Sequence, residues 1–221
     1  MVAASSMSNA VLAAAYYQGF SAFFLPIESH FGWNRTAISG AMSLRQAETG
    51  LLGPIVGLLI NKVGPRKLIL MGGVTVSIGL IGLGLINGLL TFYLCFTIIS
   101  IGASGMGHGV TWPMLMARWF RRHLGLAIGL ASIGPIFAAP LVIVNTNLVD
   151  AFSWRAVLVG YGVVCLVVVS TMSLIVRDRP EPYGYLPDGD RPDPNIPSSL
   201  AGQAQSHNDE GLSFREIMRT K

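Results

Sequence analysis

Two charged residues interrupt a long apolar stretch of the sequence, and they are the residues best suited to chemistry. Arg45 and Glu48 are three residues apart, a spacing that places both side chains on one face of a helix. In a membrane helix they would lie roughly 12–18 Å from one end, at about 1.5 Å per residue. Charges at that depth face a cavity or a partner. Two alternatives stay open: a local ion pair that locks the helix, or a site for an anionic substrate or a coupled proton.

Uncharged polar side chains in other apolar stretches are further candidates. Tyr16, Tyr17 and Gln18 fall together near the middle of the first stretch, where hydroxyl and amide groups can hydrogen-bond a carboxylate. Hydrogen bonds between helices are the alternative use for them. His108 and Trp112 lie one helical turn apart in a later stretch. A membrane-buried histidine relays protons or serves as a packing residue, and Trp112 would form a wall of the cavity.

The composition places these residues in a membrane protein. Only 12% of the 221 residues are charged, against about 25% in soluble domains, and the mean hydropathy is +0.56. These values exclude an ordinary soluble enzyme and a disordered protein, and they argue against a nucleic-acid partner despite a pI of about 9.3. Cys95 and Cys165 lie in apolar stretches, which is typical of buried small hydrophobes. The four histidines and two cysteines are scattered, so we expect no metal and no other cofactor.

Six apolar stretches are each long enough for a membrane helix, which needs about 20 apolar residues. The sequence therefore predicts an all-α integral membrane protein, with a six-helix transmembrane bundle over residues 1–176. The first stretch has no basic residues before its apolar core and no clear cleavage site, so we interpret it as a membrane helix and not as a signal peptide. The predicted helices are Ala3–Pro26, Ala37–Ile60, Leu68–Asn87, Phe92–Ala117, Leu124–Leu148 and Ala156–Val176.

The basic residues give this bundle an orientation. The connections after the second, fourth and sixth predicted helices carry eight lysines and arginines, and the other connections carry only Arg35 and Arg155. Since basic loops stay in the cytoplasm, both termini of this multi-pass chain are predicted to be cytoplasmic. Residues 177–211 are polar and rich in proline, which predicts a flexible cytoplasmic loop. Residues 212–221 regain an amphipathic helical pattern.

Glycine pairs four residues apart are a further pattern in the predicted helices. This spacing puts both glycines on one helix face, where the backbones of two helices can approach closely. Tight helix packing is the interpretation that we favour over a role in gating. The pairs are Gly53 and Gly57, Gly84 and Gly88, Gly105 and Gly109, and Gly125 and Gly129.

The connection between the second and third predicted helices carries a distinctive motif. Residues 57–67 read GLLINKVGPRK, in which Gly64 and Pro65 suit a tight turn and the basic residues hold that turn in the cytoplasm. The motif resembles the cytoplasmic signature of the major facilitator superfamily. The family has an acidic residue where this chain has Asn61, an amide that can still accept hydrogen bonds as a cap. The other matching positions are Gly57, Lys62, Gly64, Arg66 and Lys67.

Three more stretches narrow the resemblance to the monocarboxylate-transporter and oxalate/formate-antiporter branch. Residues 31–39 (FGWNRTAIS) resemble its first outer loop, and residues 118–134 (RWFRRHLGLAIGLASIG) resemble its signature entering the fifth helix. Residues 179–190 (RPEPYGYLPDGD) resemble the central loop of bacterial members. Prolines at 135 and 140 are expected to kink the fifth helix or to leave a hydrogen-bond defect in it. The helix-five signature maps onto Arg121, Arg122, Gly125, Gly129, Gly134 and Pro135.

The resemblance implies the amino-terminal half of a transporter whose two six-helix halves are joined by a central loop. Residues 212–221 would lead toward a helix seven in the missing carboxy-terminal half, so we interpret the chain as part of a truncated or incomplete transporter. The implied function is secondary transport of monocarboxylates or oxalate-like anions across the plasma membrane by alternating access, with a coupled proton or counter-anion. Its partners are the anion, the lipid bilayer and the other half. We expect the 221 residues alone not to transport.

Two other functions fit parts of the pattern. Residues 102–105 read GASG, which resembles the nucleophile motif of rhomboid intramembrane proteases with Ser104 as the nucleophile. That chemistry needs a histidine on another helix, and His108 is on the same predicted helix as Ser104. A purely structural six-helix half that assembles with a partner chain is the second alternative. The sequence has no G-x-x-x-x-G-K-[ST] nucleotide motif, so any transport would be driven by gradients.

Overall fold

The residues that the structure describes fold into α-helices and one π-helical turn. A computed structural model describes residues 2–106 and 109–177. In chain order the elements are α1 (Val2–Leu12), the π-turn (Ala13–Tyr17), α2 (Phe20–Phe31), α3 (Arg35–Val63), α4 (Pro65–Gly84), α5 (Leu89–Met106), α6 (Thr111–Trp119), α7 (Leu124–Ala131), α8 (Gly134–Phe152) and α9 (Trp154–Ile175).

These helices make six long segments, which we name spans one to six. Span one contains α1, the π-turn and α2; span four contains α5 and α6; span five contains α7 and α8. Spans two, three and six are α3, α4 and α9. Each predicted apolar stretch coincides with one span, so the prediction of an all-α membrane bundle is confirmed.

One of the six spans differs from the rest in composition. By length and composition, five spans are suited to cross a membrane, and α3 is the one that does not meet both conditions. It has 29 residues, about 43 Å at about 1.5 Å per residue, which exceeds the roughly 30 Å of a bilayer core. Arg45, Gln46 and Glu48 near its middle make it less apolar. The helix that carries the charged candidates is thus the span least suited to being surrounded by lipid.

The spans alternate in direction, so their connections collect at two ends of the bundle. At one end, which we call the Gly32 end after the turn that follows α2, the Arg155 guanidinium donates to the Ile86 carbonyl at 3.1 Å. At the other, which we call the basic end, Arg66 donates to the Ser173 carbonyl at 2.6 Å. Both bonds tie together spans that are distant in sequence.

The turn between α3 and α4 has the form that the sequence predicts. Gly64 alone separates the two helices, with a φ of 88° that favours glycine, and Pro65 begins α4. Asn61 lies exposed in the last turn of α3. The prediction of a tight Gly64–Pro65 turn is confirmed.

Span five is interrupted where proline predicts it. The helix α7 ends at Ala131, two residues form a turn, and α8 starts with Gly134 and Pro135. Proline has no backbone N–H to continue a helix, and its ring clashes with the preceding turn. The interruption expected at Pro135 is confirmed, and α8 continues through Pro140.

The helix α4 is the most extensively packed element of the described chain, with α5 and α9 as its main neighbours. Where α4 crosses α5, a Cβ atom added to Gly72 would lie 2.6 Å from the Gly102 carbonyl oxygen, so the two backbones touch. Toward α9, a Cβ atom added to Gly162 would lie 3.0 Å from the Ser77 carbonyl oxygen. Glycine at these positions lets the three helices approach closely.

Among the described residues, two glycines of the predicted pairs pack against another helix. Gly84 is tightly packed, since a Cβ atom added there would lie 2.9 Å from the Arg155 carbonyl oxygen, and Gly105 has ordinary contacts from 3.6 Å. For the other six the packing prediction stays a prediction, because spacing shows which glycines share a face but not which face meets a helix. Within the described part of the chain, an added Cβ atom would meet no neighbouring element within 4 Å at Gly53, Gly57, Gly88, Gly109, Gly125 and Gly129.

Several predictions fall outside the described residues. The predicted loop at 177–211 is described only at Arg177, and the stretch 212–221 lies wholly outside the described ranges. His108 lies outside them as well. The predictions for these residues stay predictions.

Candidate functional site

Span one changes its helical geometry at the two candidate tyrosines. The backbone N–H groups of Gln18 and Gly19 both donate to the Ala13 carbonyl, at 2.8 and 3.1 Å. A π-helical turn of this kind holds an extra residue compared with an α-helical turn, and such turns are frequent at functional sites. It gives the two rings different environments, because Tyr16 is 1% exposed and Tyr17 is 39% exposed.

The Tyr16 ring packs into an aromatic layer inside the bundle. Its centroid lies 5.1 Å from that of Phe96 on α5 and 5.4 Å from that of Tyr17. Phe96 in turn meets Phe20 of α2 edge-on at 4.9 Å. Aromatic pairs at these distances prefer tilted or edge-on geometries, which fix the ring planes. The position of the Tyr16 hydroxyl is thereby set by spans one and four together.

The Arg45 guanidinium lies over both tyrosine rings. Its central carbon is 5.2 Å from the ring centroid of Tyr16 and 5.2 Å from that of Tyr17. A cation within about 6 Å of an aromatic face is attracted by the negative potential of the ring. The helix α3 carries Arg45 about 15 Å from its start at Arg35, near the middle of a bilayer core of about 30 Å.

Arg45 and Glu48 do not form the local ion pair that was one of the two alternatives. No nitrogen and oxygen of these two side chains lie within 4.0 Å, whereas Arg35 and Glu28 near the Gly32 end are paired at 2.9 Å. Instead Nη1 of Arg45 and Oε2 of Glu48 are both buried, and neither has a hydrogen-bond partner among the described residues. The Arg45 charge therefore contacts aromatic rings and not the Glu48 carboxylate.

Two hydroxyl groups beside these charges are also buried without a hydrogen-bond partner. They are those of Tyr16 and Ser100, which face each other without a hydrogen bond of good geometry, and the Arg45 central carbon lies 5.2 Å from the Tyr16 ring. An unpaired buried polar group costs about 1–3 kcal/mol, and most such groups in proteins have partners or bind water. We name this set the Tyr16–Arg45 cluster and define it as Tyr16, Tyr17, Arg45, Glu48 and Ser100.

The remaining candidates near the middle of the bundle do not join this cluster in the described part of the chain. Gln18 is exposed, and His108 lies outside the described residues. Trp112 on α6 is buried, and its indole Nε1 has no hydrogen-bond partner. It lines a separate small cavity of about 20 Å³ together with Ser5 and Asn9.

The motif residues at the basic end lie apart from the Tyr16–Arg45 cluster and join helix ends. Besides the bond from Arg66 to Ser173, the Trp119 indole donates to the Arg177 carbonyl at 3.1 Å. Gly134 is buried against the α1 backbone at Ser6. Gly57, Gly64 and Pro135 are partly exposed, and the exposed signature residues are Asn61, Lys62, Lys67, Arg121, Arg122, Gly125 and Gly129.

Ser100, Asn145 and Tyr161 are among the polar residues of the bundle interior that the sequence patterns did not single out. Asn145 on α8 is 0% exposed, donates to the Ala14 carbonyl at 3.0 Å and accepts from the Tyr161 hydroxyl of α9. An amide inside an apolar stretch is a signal that would have found Asn145, since polar groups in a membrane need partners. Ser100 carries no comparable signal, because serine is common in membrane helices.

The chemistry of the Tyr16–Arg45 cluster suits recognition of an anion. Arg45 offers a charge and N–H donors, the Tyr16 and Ser100 hydroxyls offer further donors, and Glu48 can carry a proton.

The nucleophile of the protease alternative, Ser104, donates to the Ser100 carbonyl at 2.9 Å.

Comparisons with known proteins agree with the helical membrane fold. The profile of the Major Facilitator Superfamily matches residues 7–215. Monocarboxylate transporter 1 of Mus musculus is 31% identical over 163 residues, which cover 72% of this chain and 33% of that protein. Monocarboxylate transporter 4 of Rattus norvegicus is 25% identical over 193 residues, which cover 82% of this chain and 39% of that protein.

The extent of these matches differs between the two chains compared. The aligned stretches cover most of this chain but only about a third of the length of the two relatives. The superfamily match, in contrast, runs through all six spans. Because the profile matches nearly the whole chain and the fold is an all-helical membrane bundle, this chain belongs to the Major Facilitator Superfamily.

Proposed function

We propose that this chain takes part in secondary active transport of small organic anions, namely monocarboxylates or oxalate- and formate-like anions, by alternating access. The Tyr16–Arg45 cluster forms part of the substrate site. One observation carries the proposal: Arg45 lies near the middle of a span, over the rings of two tyrosines, with a buried Nη1 that has no hydrogen-bond partner among the described residues. Substrate sites of secondary transporters lie near the bilayer midplane.

Arg45 has hydrogen-bond donors for an anion in addition to its contacts with the tyrosine rings. Its central carbon lies 5.2 Å from both ring centroids, and a guanidinium group carries five N–H donors along the edges of one plane. A carboxylate accepts two parallel hydrogen bonds from one such edge, a geometry that lysine cannot offer. Two unit charges about 4 Å apart interact by about 4 kcal/mol at an effective dielectric constant of 20. The Tyr16 and Ser100 hydroxyls add donors for a small carboxylate.

The relatives support the class of substrate. Two of them are named monocarboxylate transporters, and a single-carboxylate anion matches the one cation of the Tyr16–Arg45 cluster. Glu48 is the proposed carrier of a coupled proton, because a carboxyl group can take up a proton and its buried Oε2 has no hydrogen-bond partner among the described residues. If the transporter exchanges anions instead, the counter-anion occupies the same Arg45 site.

The proposed cycle involves a second six-helix half. Alternating access is the rocking of two halves about a site at their interface. The helix α3 supports this arrangement, since a span that carries charges at mid-membrane depth is better placed against protein than against lipid. We place the basic end in the cytoplasm, with both termini on that side, and the transporter in the plasma membrane; the excess of lysine and arginine at this end supports that orientation.

The experiment compares substitutions of two arginines. The protein is expressed from the complete reading frame that contains these residues. Arg45→Gln removes the proposed anion-binding charge, and Arg35→Gln removes a charge that is 72% exposed near the Gly32 end. Uptake of labelled lactate and oxalate is measured in proteoliposomes. We expect Arg45→Gln to lower Vmax/KM by about a hundredfold or more, because an ionic contact in the site is lost, and Arg35→Gln to stay within about twofold.

Two results would contradict the proposal. One is an Arg45→Gln variant that is folded and takes up either anion as well as the wild type. The other is a wild-type protein that takes up neither anion, nor any of a panel of small carboxylates, under any applied proton or anion gradient. Proteoliposomes with residues 1–221 alone serve as a second control, for which we expect no uptake.

A further inference from the structure

We infer that Asn145 and Tyr161 are positioning residues, which hold the π-turn of span one and thereby set Tyr16 and Tyr17 over Arg45. The inference rests on the proposed function where it concerns transport. Its structural part depends only on the described contacts among spans one, five and six.

The π-turn leaves one backbone carbonyl without its helical partner. In an α-helix the Ala14 carbonyl would accept from the Gln18 N–H, but that N–H donates to the Ala13 carbonyl at 2.8 Å. The Asn145 side chain takes its place, since its Nδ2 donates to the Ala14 carbonyl at 3.0 Å. A carbonyl left unpaired in a membrane interior is costly, so this bond favours the π-turn over a regular helix.

Tyr161 fixes the direction of the Asn145 amide. Its hydroxyl donates to Oδ1 of Asn145, so Nδ2 is left to face the Ala14 carbonyl. A carbonyl can only accept, and the reverse amide orientation would place two acceptors together. The pair therefore acts as one unit, although Asn145 lies on α8 and Tyr161 on α9.

Gly19 gives the Asn145 amide room to reach the backbone. A Cβ atom added at residue 19 would lie 2.7 Å from Nδ2 of Asn145 and would also overlap the Ala14 carbonyl. Any other residue would push the amide away from the turn. The glycine, the amide and the free carbonyl thus form a fitted contact directly beside Tyr16 and Tyr17.

The consequence for the tyrosines follows from helix geometry. A π-turn has one residue more than the α-helix it interrupts, and each residue turns an α-helix by about 100°. Loss of the π-turn would rotate the tyrosine side chains relative to either α1 or α2. Both rings could not then stay over Arg45 at 5.2 Å.

The test uses Asn145→Leu, which removes the amide at similar volume, with Asn147→Leu as its matched control. Asn147 lies two residues further along α8 and is exposed. Backbone hydrogen exchange is followed in the wild type and both variants in nanodiscs, on a peptide covering residues 13–19. We expect exchange about tenfold faster in Asn145→Leu and unchanged in Asn147→Leu, because only the first loses a bond to the turn.

Tyr161→Phe provides a second, milder variant should Asn145→Leu fail to fold. It keeps the ring and removes the hydroxyl that orients the amide, so we expect exchange about threefold faster at residues 13–19. In uptake assays both variants should raise the KM for lactate, by about tenfold and threefold, with Vmax within about twofold. A general loss of folding would instead lower Vmax and leave KM unchanged.

The outcomes separate this inference from the proposed function. Unchanged exchange at residues 13–19 in both variants would overturn the inference, and so would faster exchange with an unchanged KM. Faster exchange with a raised KM supports it. If the wild type takes up no carboxylate, the proposed function fails, and the exchange result alone decides whether Asn145 and Tyr161 hold the π-turn.

Discussion

The helices α3 and α4 are neighbours in one bundle and meet the rest of it in different ways. On α4, glycines bring backbones into contact, as at Gly72 and Gly102, and the Ser77 hydroxyl is bonded within its own helix at 2.8 Å. On α3, Arg45 and Glu48 reach the bundle interior with buried atoms that have no partner. Among the described residues, no side chain of α4 has a buried polar atom that lacks a hydrogen-bond partner, whereas two side chains of α3 have such atoms.

This difference indicates where stability and function are separated in the molecule. Close backbone contact without polar side chains has one good arrangement, and a deviation costs packing energy. An unpaired charge costs stability in the absence of a ligand and gains a partner on binding. We therefore expect substitutions on α4 and α5 to change folding, and substitutions in the Tyr16–Arg45 cluster to change transport. Each prediction below tests that separation.

The largest effect is expected at the crossing of α4 and α5. Gly102→Leu adds a side chain whose Cβ atom would lie 2.6 Å from the Gly72 carbonyl oxygen and 2.7 Å from the Val76 nitrogen. Overpacking against backbone should cost about 3 kcal/mol or more and remove most of the monodisperse protein. Fluorescence-detected size exclusion and thermal melting measure it. The control Gly129→Leu adds the same side chain at an exposed glycine of α7 and should behave as the wild type.

A well-folded Gly102→Leu variant would break the comparison, because it would mean that the α4–α5 contact can open without cost. Equal damage from Gly129→Leu would do so as well. In that case the exposed face of α7 would carry as much of the folding energy as the buried crossing.

The second prediction sets two tyrosines against each other. Tyr16→Phe removes an unpaired buried hydroxyl but keeps the ring beside Arg45, so stability should stay equal or rise by up to about 1 kcal/mol. The KM for a carboxylate should rise about tenfold, since a bond to a charged ligand is lost. Tyr93→Phe removes a hydroxyl that donates to the Ala37 carbonyl at 2.6 Å. It should cost about 1 kcal/mol of stability and leave KM within about twofold.

Melting curves and uptake kinetics on the same preparations decide this prediction. Reversed results, with Tyr16→Phe destabilised and Tyr93→Phe impaired in uptake, would show that the Tyr16 hydroxyl serves folding. The division between the two regions would then not hold for span one.

The smallest effect is expected from a carboxylate pair. Glu48→Gln keeps the shape of the side chain and removes its ability to carry a proton, so uptake should lose its stimulation by an inward proton gradient, a change of about threefold. Glu28→Gln breaks the 2.9 Å ion pair with Arg35 and should keep that stimulation. Initial uptake rates with and without the gradient measure both. Normal stimulation in Glu48→Gln would exclude Glu48 as the proton carrier and favour anion exchange.

The sequence was sufficient to predict the spans and every residue of the cluster except Ser100, but not how those residues meet. Six apolar stretches predict six spans, and charges at mid-stretch depth identify Arg45 and Glu48 as candidates. Their spacing on one helix face equally allows an ion pair. The observed contacts of Arg45 are with Tyr16 and Tyr17, which belong to another span. Periodicity within one helix cannot reveal such contacts.

The π-turn and the packing glycines show the same limit. The residues at 13–17 read AAAYY, with no proline or glycine among them, and the turn is hydrogen-bonded to the distant amide of Asn145. Gly72, Gly102 and Gly162 form the close crossings between helices, yet none of them belongs to a predicted pair of glycines four residues apart. Both features depend on which helices become neighbours, and the residue pattern of a single segment does not show this.

The single-residue turn at Gly64 has a mechanical consequence. Consecutive Cα atoms are about 3.8 Å apart, so one glycine gives no slack between α3 and α4, and Arg66 fastens the same corner to α9 through Ser173. Any change in the angle between α3 and α4 would therefore turn α3 about this corner. Arg45 lies eighteen residues from Val63, about 27 Å along the helix. A rotation of about 10° would move Arg45 about 5 Å relative to the rings of Tyr16 and Tyr17.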